Sequence, residues 1–306
     1  MILVGGEALI DLTEVEVDGE RLWQAHPGGG PRNAAVALAR LGVPVGFLGR
    51  LSSDGFGRRL RDGMHADGVD LRFVVTGDEP TTVALVSTDE DGSPRFAFHG
   101  EGTADALLGP ADLPATLDGV EALHLGTLGL VREPQASTLV GLMRSQSGRI
   151  AQFCDPNIRP ALVGDRLGYL RRVRQWAHLV DIVKFSDDDL AWLQPGTDPL
   201  EEAARWAEDH EALVILTRGA AGAEAFWAGD HAHVDAVAVD VVDTVGAGDS
   251  FGAGFLAELR RRGPLQPGLA TQVQHDVVEA SLAFAVRVAA LTCARAGADP
   301  PRVDEL

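Results

Sequence analysis

The feature that most narrows the fold is an alternation. Short continuous apolar runs, "MILVG", "VGFLG", "ALHLG", "RIAQFCD", "DIVKF" and "ALVILT", are separated by helical patterns such as "RNAAVALARLG", "GFGRRLRDGMHADG", "REPQASTLVGLMRSQ" and "EEAARWAEDH". A strand that is apolar on both faces needs cover on both faces. Helices between successive strands supply it, so the chain is predicted to form an α/β fold with a parallel sheet between helical layers. The last segment, "QVQHDVVEASLAFAVRVAALTCARAG", predicts a long amphipathic helix and then a turn. A length of 306 residues allows one large domain of this kind or two small ones.

Two stretches break the rhythm. "LTEVEVDGERLWQ" (12–24) and "TTVALVSTDEDGSPRFAFHG" (81–100) alternate apolar and polar residues around Asp-Gly turns, the pattern of hairpins with one solvated face. They either pair into a small sheet apart from the core, as a lid or a dimer surface, or remain two surface hairpins.

The 45 acidic residues outnumber the 26 basic ones, for a net charge of −19. Such a surface weighs against nucleic acid or an anionic membrane as the main partner, and an anionic ligand must find its positive potential locally. Cys154 and Cys293 form neither a disulfide framework nor a metal-ligand spacing. The start "MILVGGEALIDL" has no basic segment before a long apolar run, and no apolar stretch is long enough to span a bilayer. The expectation is a cytoplasmic protein.

The stretch "DTVGAGDSF" (243–251) carries the chemistry. Gly246, Ala247 and Gly248 leave backbone N–H groups uncovered and let another group approach the main chain. If a helix begins at Asp249, those N–H groups lie at its positive end and form an anion site. A carboxylate beside an anion site repels the anion, but it suits a base that takes a proton from a nucleophile attacking a phosphate. The alternative is an ordinary helix cap, because Asp caps well and Gly is common before helices. A second cluster, "HPGGGPRNAAVALARLG", places Gly28, Gly29 and Gly30 before a helix bearing Asn33, which suits either a polyhydroxylated ligand or a plain turn. No G-x-x-x-x-G-K-[ST] is present, and "VGGEAL" is not G-x-G-x-x-G, so P-loop and dinucleotide-binding readings fail.

The stretches "GGGPRNAAVALARLG" and "DTVGAGDSFGAGF" resemble the two signatures of the ribokinase-like (pfkB) carbohydrate kinases. The resemblance runs along nearly the whole chain through "GEALIDL", "FLGRLSSDGFGRRL", "HLGTLGLVREP", "DPNIRP", "DIVKFSDDDLAWL", "TRGAAGA" and "CARAGADPP". The proline after the glycines, "GTLGLVREP" and "DPNIR" resemble the fructokinase branch. The resemblance implies a ribokinase-like three-layer α/β/α core with a mostly parallel sheet and a small β-sheet lid. It implies a single kinase domain over 1–306, with lid strands inserted near 12–26 and 81–100.

The implied activity is transfer of the γ-phosphate of ATP to a primary hydroxyl of a sugar, D-fructose to fructose 6-phosphate first. Another sugar such as 2-keto-3-deoxygluconate, or a catalytically silent sugar-binding regulator, remains the alternative; the intact "GAGD" argues against silence. Asp249 matches the catalytic base, at an ordinary pKa of ~3.9, and Gly246, Ala247 and Gly248 match the anion hole. Arg159 is expected to face the transferring phosphate or the sugar. Asp11, Gly29, Gly30 and Asn33 match sugar-binding positions, and Phe96 or Phe98 is expected either to cover the sugar or to be a packed strand face. Lys184, the single lysine among 26 basic residues, matches a strand leading to the nucleotide phosphates. Ser186, Thr217, Gly219 and Gly222 match the nucleotide side.

The implied partners are ATP with Mg²⁺, the sugar and, through Asp243, potassium in relatives that need it, with a homodimer through the lid sheet. Two departures stand out. Ser186 and Asp189 replace the family's usual Asn and Glu, leaving Asp189 to order Mg²⁺-bound water. "FHGEGTAD" has His99 and Glu101 where many fructokinases carry an arginine and an asparagine, so a cation for an acidic sugar is missing there.

Overall fold

The computed structural model describes residues 1–88 and 94–306, without the side chains of 86–88 and 94–96. Its strands are β1 (Ile2–Gly5), β2 (Leu9–Val17), β3 (Glu20–Gly28), β4 (Val45–Ser52), β5 (Val74–Gly77), β6 (Val83–Thr88), β7 (Pro94–His99), β8 (Ala122–Gly126), β9 (Ala151–Asp155), β10 (Ile182–Ser186), β11 (Leu213–Thr217), β12 (Ala223–Trp227) and β13 (Asp230–Val234). The helices are α1 (Gly30–Arg40), α2 (Gly55–Ala66), α3 (Gln135–Gln146), α4 (Arg166–Ala177), α5 (Asp187–Leu193), α6 (Pro199–His210), α7 (Ala247–Arg262) and α8 (His275–Cys293).

Every apolar run singled out in the sequence is a strand of one nine-stranded sheet, ordered β13-β12-β11-β10-β9-β8-β1-β4-β5. Pairing is parallel from β5 to β11 and antiparallel only at the β12–β13 edge. The alternation of side chains along β1 shows why helices must cover both faces. Ile2 and Val4 enter a core with α1, α7 and α8, whereas Leu3 enters a separate one with α3, α4 and α6. The architecture is therefore the expected three-layer α/β/α arrangement.

The chain starts in the middle of this sheet. From β1 it runs through β4 to β5 on one side, then returns to β8 and proceeds through β9 and β10 to β11 on the other. Between β1 and β8 the strand order reverses, and crevices at such a reversal, beyond the carboxyl ends of the strands, are where open α/β sheets bind ligands.

The two stretches that break the alternation pair into one four-stranded sheet, ordered β3-β2-β6-β7, so the alternative of two separate hairpins is set aside. The first Asp-Gly turn is as expected: Asp18 and Gly19 both take positive φ (53° and 81°), as a two-residue hairpin turn of this hand requires. The second, at Asp91 and Gly92, lies outside the described residues. No helix among the described residues is long and apolar enough to cross a membrane.

Candidate active site

Side chains from five separate segments converge at the strand-order reversal. They come from the end of β1 and the start of β2, the turn into α1, the turn after β8, the segment after β9, and the start of α7. Helix α7 begins two residues before the expected Asp249, at Ala247. Gly246 is its cap residue, with a φ of 76° that favours glycine, and a Cβ there would meet the Ala298 Cβ at 2.6 Å. The first bond of the helical ladder runs from the Ser250 N–H to the Gly246 carbonyl at 2.9 Å. The N–H groups of Gly248 and Asp249 precede that ladder and form the positive end of a sixteen-residue helix.

Asp249 is buried at 9% exposure. Its Oδ2 accepts a hydrogen bond from Asn33 Nδ2 at 2.9 Å. Among the described residues, its Oδ1 has only a long contact, 3.5 Å, with Asn157 Nδ2. That oxygen faces Gly30, where a Cβ would stand 3.1 Å from it and 2.5 Å from Thr127 Oγ1. Gly30 thus keeps open the space in front of one carboxylate oxygen while the other is held. Burial pushes the Asp249 pKa up to about 6; Asp155 adds to the rise, and the Asn33 hydrogen bond with the charges of Lys184 and Arg159 restrain it. The expectation of an ordinary carboxylate is corrected: the sequence does not show how deeply α7 buries its first turn.

Lys184 lies within β10, buried, with Nζ 2.8 Å from Asp155 Oδ2. A Cβ on Gly248 would come 3.4 Å from that ammonium, so the single lysine stands against the start of α7. Burial opposes its charge, but Asp155, Asp189 and Asp249 outweigh this and hold its pKa above the usual lysine range. Arg159 is exposed beyond β9, and its Nη1 donates to Asn157 Oδ1 at 2.7 Å. Its charge acts on both Asp249 and Asp11. Asp11 lies on β2, where burial raises its pKa to about 6 and Arg159 offsets part of that.

Asp189 and Ser186 stand together at the start of α5. Ser186 caps α5, and Asp189 completes the capping box by accepting from the Ser186 N–H at 2.8 Å and the Ser186 hydroxyl at 2.7 Å. The second Asp189 oxygen accepts the Ile158 N–H at 2.7 Å. Both oxygens accept protein hydrogen bonds and the residue is buried, so Asp189 fastens the "DPNIR" segment to α5. Among the described residues, no group of three or more His, Cys, Asp or Glu is arranged to hold a metal ion.

Asp243 also acts as a fastener. Its oxygens accept the N–H groups of Val245 at 3.0 Å and Gly297 at 2.8 Å, tying the "GAGD" turn to the "CARAGADPP" segment. Thr217, Gly219 and Gly222 sit together at the end of β11, with Thr217 Oγ1 3.3 Å from the Phe185 carbonyl. Exposed Val237, Val241, Val242 and Val245 line the loop between β13 and α7.

At the small sheet, Phe98 packs with Leu9, Ala84 and Leu128 at the seam between the two sheets. This is the packed-face alternative of the sequence reading, with one edge still exposed; the Phe96 side chain lies outside the described residues. His99 and Glu101 are exposed.

Sequence reasoning misses three contributors. Arg132, from the turn after β8, stands over the Phe98 ring at 5.4 Å and pairs with the buried Asp105 at 3.2 Å, so a cation reaches the lid aromatic from another segment. Asp155 was visible in "DPNIRP", but its lysine partner lies on the next strand. Glu7 is fully buried after β1, accepting the Gly129 N–H at 2.9 Å through Oε2, while Oε1 has no partner among the described residues. Burial raises its pKa to about 8, so it is protonated at neutral pH. A lone acid within the apolar run "ILVGGEALI" was its one readable signal.

The model of the pfkB family carbohydrate kinases matches residues 1–305. A fructokinase of Rhizobium leguminosarum bv. trifolii is 39% identical over 263 residues, covering 85% of this chain and 80% of its own. A fructokinase double mutant from Vibrio cholerae O395, solved in a fructose-, ADP- and potassium-bound form, superposes with a TM-score of 0.83 at 28% identity, over 97% of this chain and 93% of that one. Aminoimidazole riboside kinase from Salmonella enterica, complexed with aminoimidazole riboside and an ATP analogue, gives 0.80 at 28% identity, over 97% and 94%. The chain belongs to the pfkB family and is an ATP-dependent carbohydrate kinase.

Proposed function

We propose that this chain phosphorylates a primary hydroxyl of a neutral sugar, D-fructose first, with Asp249 as the general base. The observation that carries the reading is the asymmetry of the Asp249 carboxylate: Oδ2 is held by Asn33, and Oδ1 faces the space kept by Gly30. A sugar hydroxyl in that space passes its proton to Oδ1 as its oxygen attacks the γ-phosphorus. The bond from that phosphorus to the bridging oxygen breaks, and ADP leaves with the electron pair. With a pKa of about 6, Asp249 is ionised at neutral pH and ready to accept. The transition state is loose, so most of the rate comes from placement and charge. The first-turn N–H groups of α7, backed by Lys184, receive the migrating phosphoryl oxygens.

Asp11, Asn33 and the Gly29–Gly30 turn are assigned to the sugar, and Arg159 to the charge between sugar and phosphate. Thr217, Gly219 and Gly222 are assigned to the nucleotide phosphates, and the exposed valines of the loop before α7 to its base. The small sheet is assigned the role of lid, in one kinase domain over 1–306. Mg²⁺ fits this site as an ion carried on the triphosphate rather than held in a protein cage. Buried Asp155 Oδ1, without a protein partner among the described residues, is the oxygen suited to its water shell. When bound, Mg²⁺ supplies neutralisation of the phosphate charge. The seam that Asp243 gathers is the place assigned to potassium.

Support for fructose comes from the relatives named above and from Arg132. That cation is already balanced by Asp105, which is 2% exposed on its side chain, so Arg132 is not a free charge for an acidic sugar beside the lid aromatic. ADP release with Mg·ATP, measured against fructose, glucose, mannose, ribose, ketodeoxygluconate and a nucleoside, tests the reading. Preference for fructose is expected. Preference for ketodeoxygluconate overturns the argument from Arg132, and no turnover on any sugar with ATP still bound favours the silent regulator.

A further inference from the structure

An amide side chain has a donor end and an acceptor end of nearly equal shape. Asn33 serves the proposed base only with its donor end toward Asp249 Oδ2, at 2.9 Å. Turned over, it would set its oxygen against a carboxylate oxygen. The residue before it decides between the two. Arg32 Nη1 stands 3.2 Å from Asn33 Oδ1 and 3.4 Å from the Pro27 carbonyl. A guanidinium has donors and no acceptor, so the atom it faces must be the amide oxygen. Consecutive helix residues do not face each other, so this contact is no by-product of helix periodicity.

Arg32 is also costly where it stands. It is 8% exposed in the first turn of α1, where a Cβ on Gly63 of α2 would stand 3.9 Å from its Nη2, and its Nε has no partner among the described residues. Burial lowers its pKa to about 10, leaving it charged at neutral pH, with Asp67 favouring the charge and Arg40 opposing it. A buried cation whose hydrogen bonds are spent on one carbonyl and one amide oxygen is expensive as core filling. We propose that Arg32 is a positioning residue that fixes the donor end of the Asn33 amide on Asp249, and so leaves Oδ1 as the oxygen that takes the sugar proton.

This inference rests on Asp249 being the base, and the test separates the two. The groups facing Asp249 are Asn33, Asn157, Lys184, Asp155 and Arg159, with Asp11 acting through charge and Glu7 doing so only where it ionises, at higher pH. None of them is altered in an Arg32→Met variant. Losing the ordered donor from Asn33 raises the pKa of Asp249, so the acid limb of the rate moves to higher pH.

The experiment is steady-state sugar phosphorylation across pH for the wild type, Arg32→Met, Asn33→Ala and the double variant, with Asp249→Asn as control. Arg32→Met is expected to lower kcat by ~10-fold, with a smaller change in sugar KM. Its acid limb is expected to rise by roughly half a pH unit. The double variant is expected to be no slower than Asn33→Ala alone. An unmoved acid limb in a folded, ATP-binding Arg32→Met protein, or losses that multiply in the double variant, overturns the role of Arg32. If the Met variant does not fold, Arg32→Lys is read instead; it keeps the charge with a shorter reach. A smaller upward move of the limb is expected, and an unmoved limb with unchanged kcat overturns the proposal. Full activity of Asp249→Asn removes the base reading itself, whatever the Arg32 variants do.

Discussion

The nine-stranded and four-stranded sheets treat their residues in opposite ways. In the large sheet, the central strands β1, β8 and β9 are buried throughout, and the polar groups gathered near the strand ends are fastened: Lys184 to Asp155, Asp189 to Ser186 and Ile158, Glu7 to Gly129. In the small sheet, β3 is an edge strand whose residues Glu20–Gln24 are exposed, and Val17, Leu22 and Trp23 offer apolar surface to solvent. It meets the core through the Phe98 cluster and the Arg132 network with Thr82, Thr103 and Asp105. Proton transfer needs an oxygen held to a fraction of an ångström, and access needs a surface that yields. On the proposed function, the first task falls to the large sheet and the second to the small one.

Predictions follow from the steepest expected loss to the shallowest. Lys184→Met removes one member of a pair whose side chains are 4% and 5% exposed, leaving a buried carboxylate alone. A loss of about 3–5 kcal/mol in a denaturant titration is expected, together with lost turnover; a stable, active variant would break the claim that fastened charges make the site. Gly30→Ala fills the space before Asp249 Oδ1. It is expected to lower kcat/KM for the sugar by ~10-fold or more, with a smaller loss in melting temperature as the buried Thr127 side chain gives way. Equal losses of activity and stability would make Gly30 a fold residue.

Glu7→Gln probes the same region through pH. The folded pKa of Glu7, about 8, lies above its unfolded value, so its contribution is complete below the unfolded pKa and is lost as pH rises toward 8. Melting temperatures between pH 5 and 9, a range set by those pKa values, are expected to fall less in Glu7→Gln than in the wild type. Parallel curves would contradict a protonated Glu7. On the small sheet, Leu22→Ser with Trp23→Ser is expected to leave kcat unchanged and stability within about 0.5 kcal/mol. If the small sheet builds a homodimer, the same variant reduces the mass seen by light scattering; a wild-type monomer would remove the dimer and keep the lid.

How much of this was readable in the sequence depended on distance along the chain. The apolar runs and the "GAGD" turn are local signals, and both stand where they were expected. Helix α4 passes unnoticed because arginines fill the positions between Tyr169, Leu170, Val173 and Trp176, although those four keep a helical spacing. Partnerships across the fold left no local trace: Asn33 with Asp249 is 216 residues apart, and Arg132 reaches Phe98 from a different segment. The capping role of Asp189 has no distinct local signal, because a capping box and a metal-bound carboxylate look alike in one dimension. The shift of Asp249 was invisible because burial depends on the helices packed around α7, not on its own residues.

The most direct test of the account is turnover of Asp249→Asn beside its affinity for ATP, measured with the best sugar from the panel. Nucleotide affinity close to wild type with turnover reduced by at least ~100-fold is the predicted result. Turnover within a few-fold of wild type would take the proton transfer away from Asp249 and contradict the mechanism built on it.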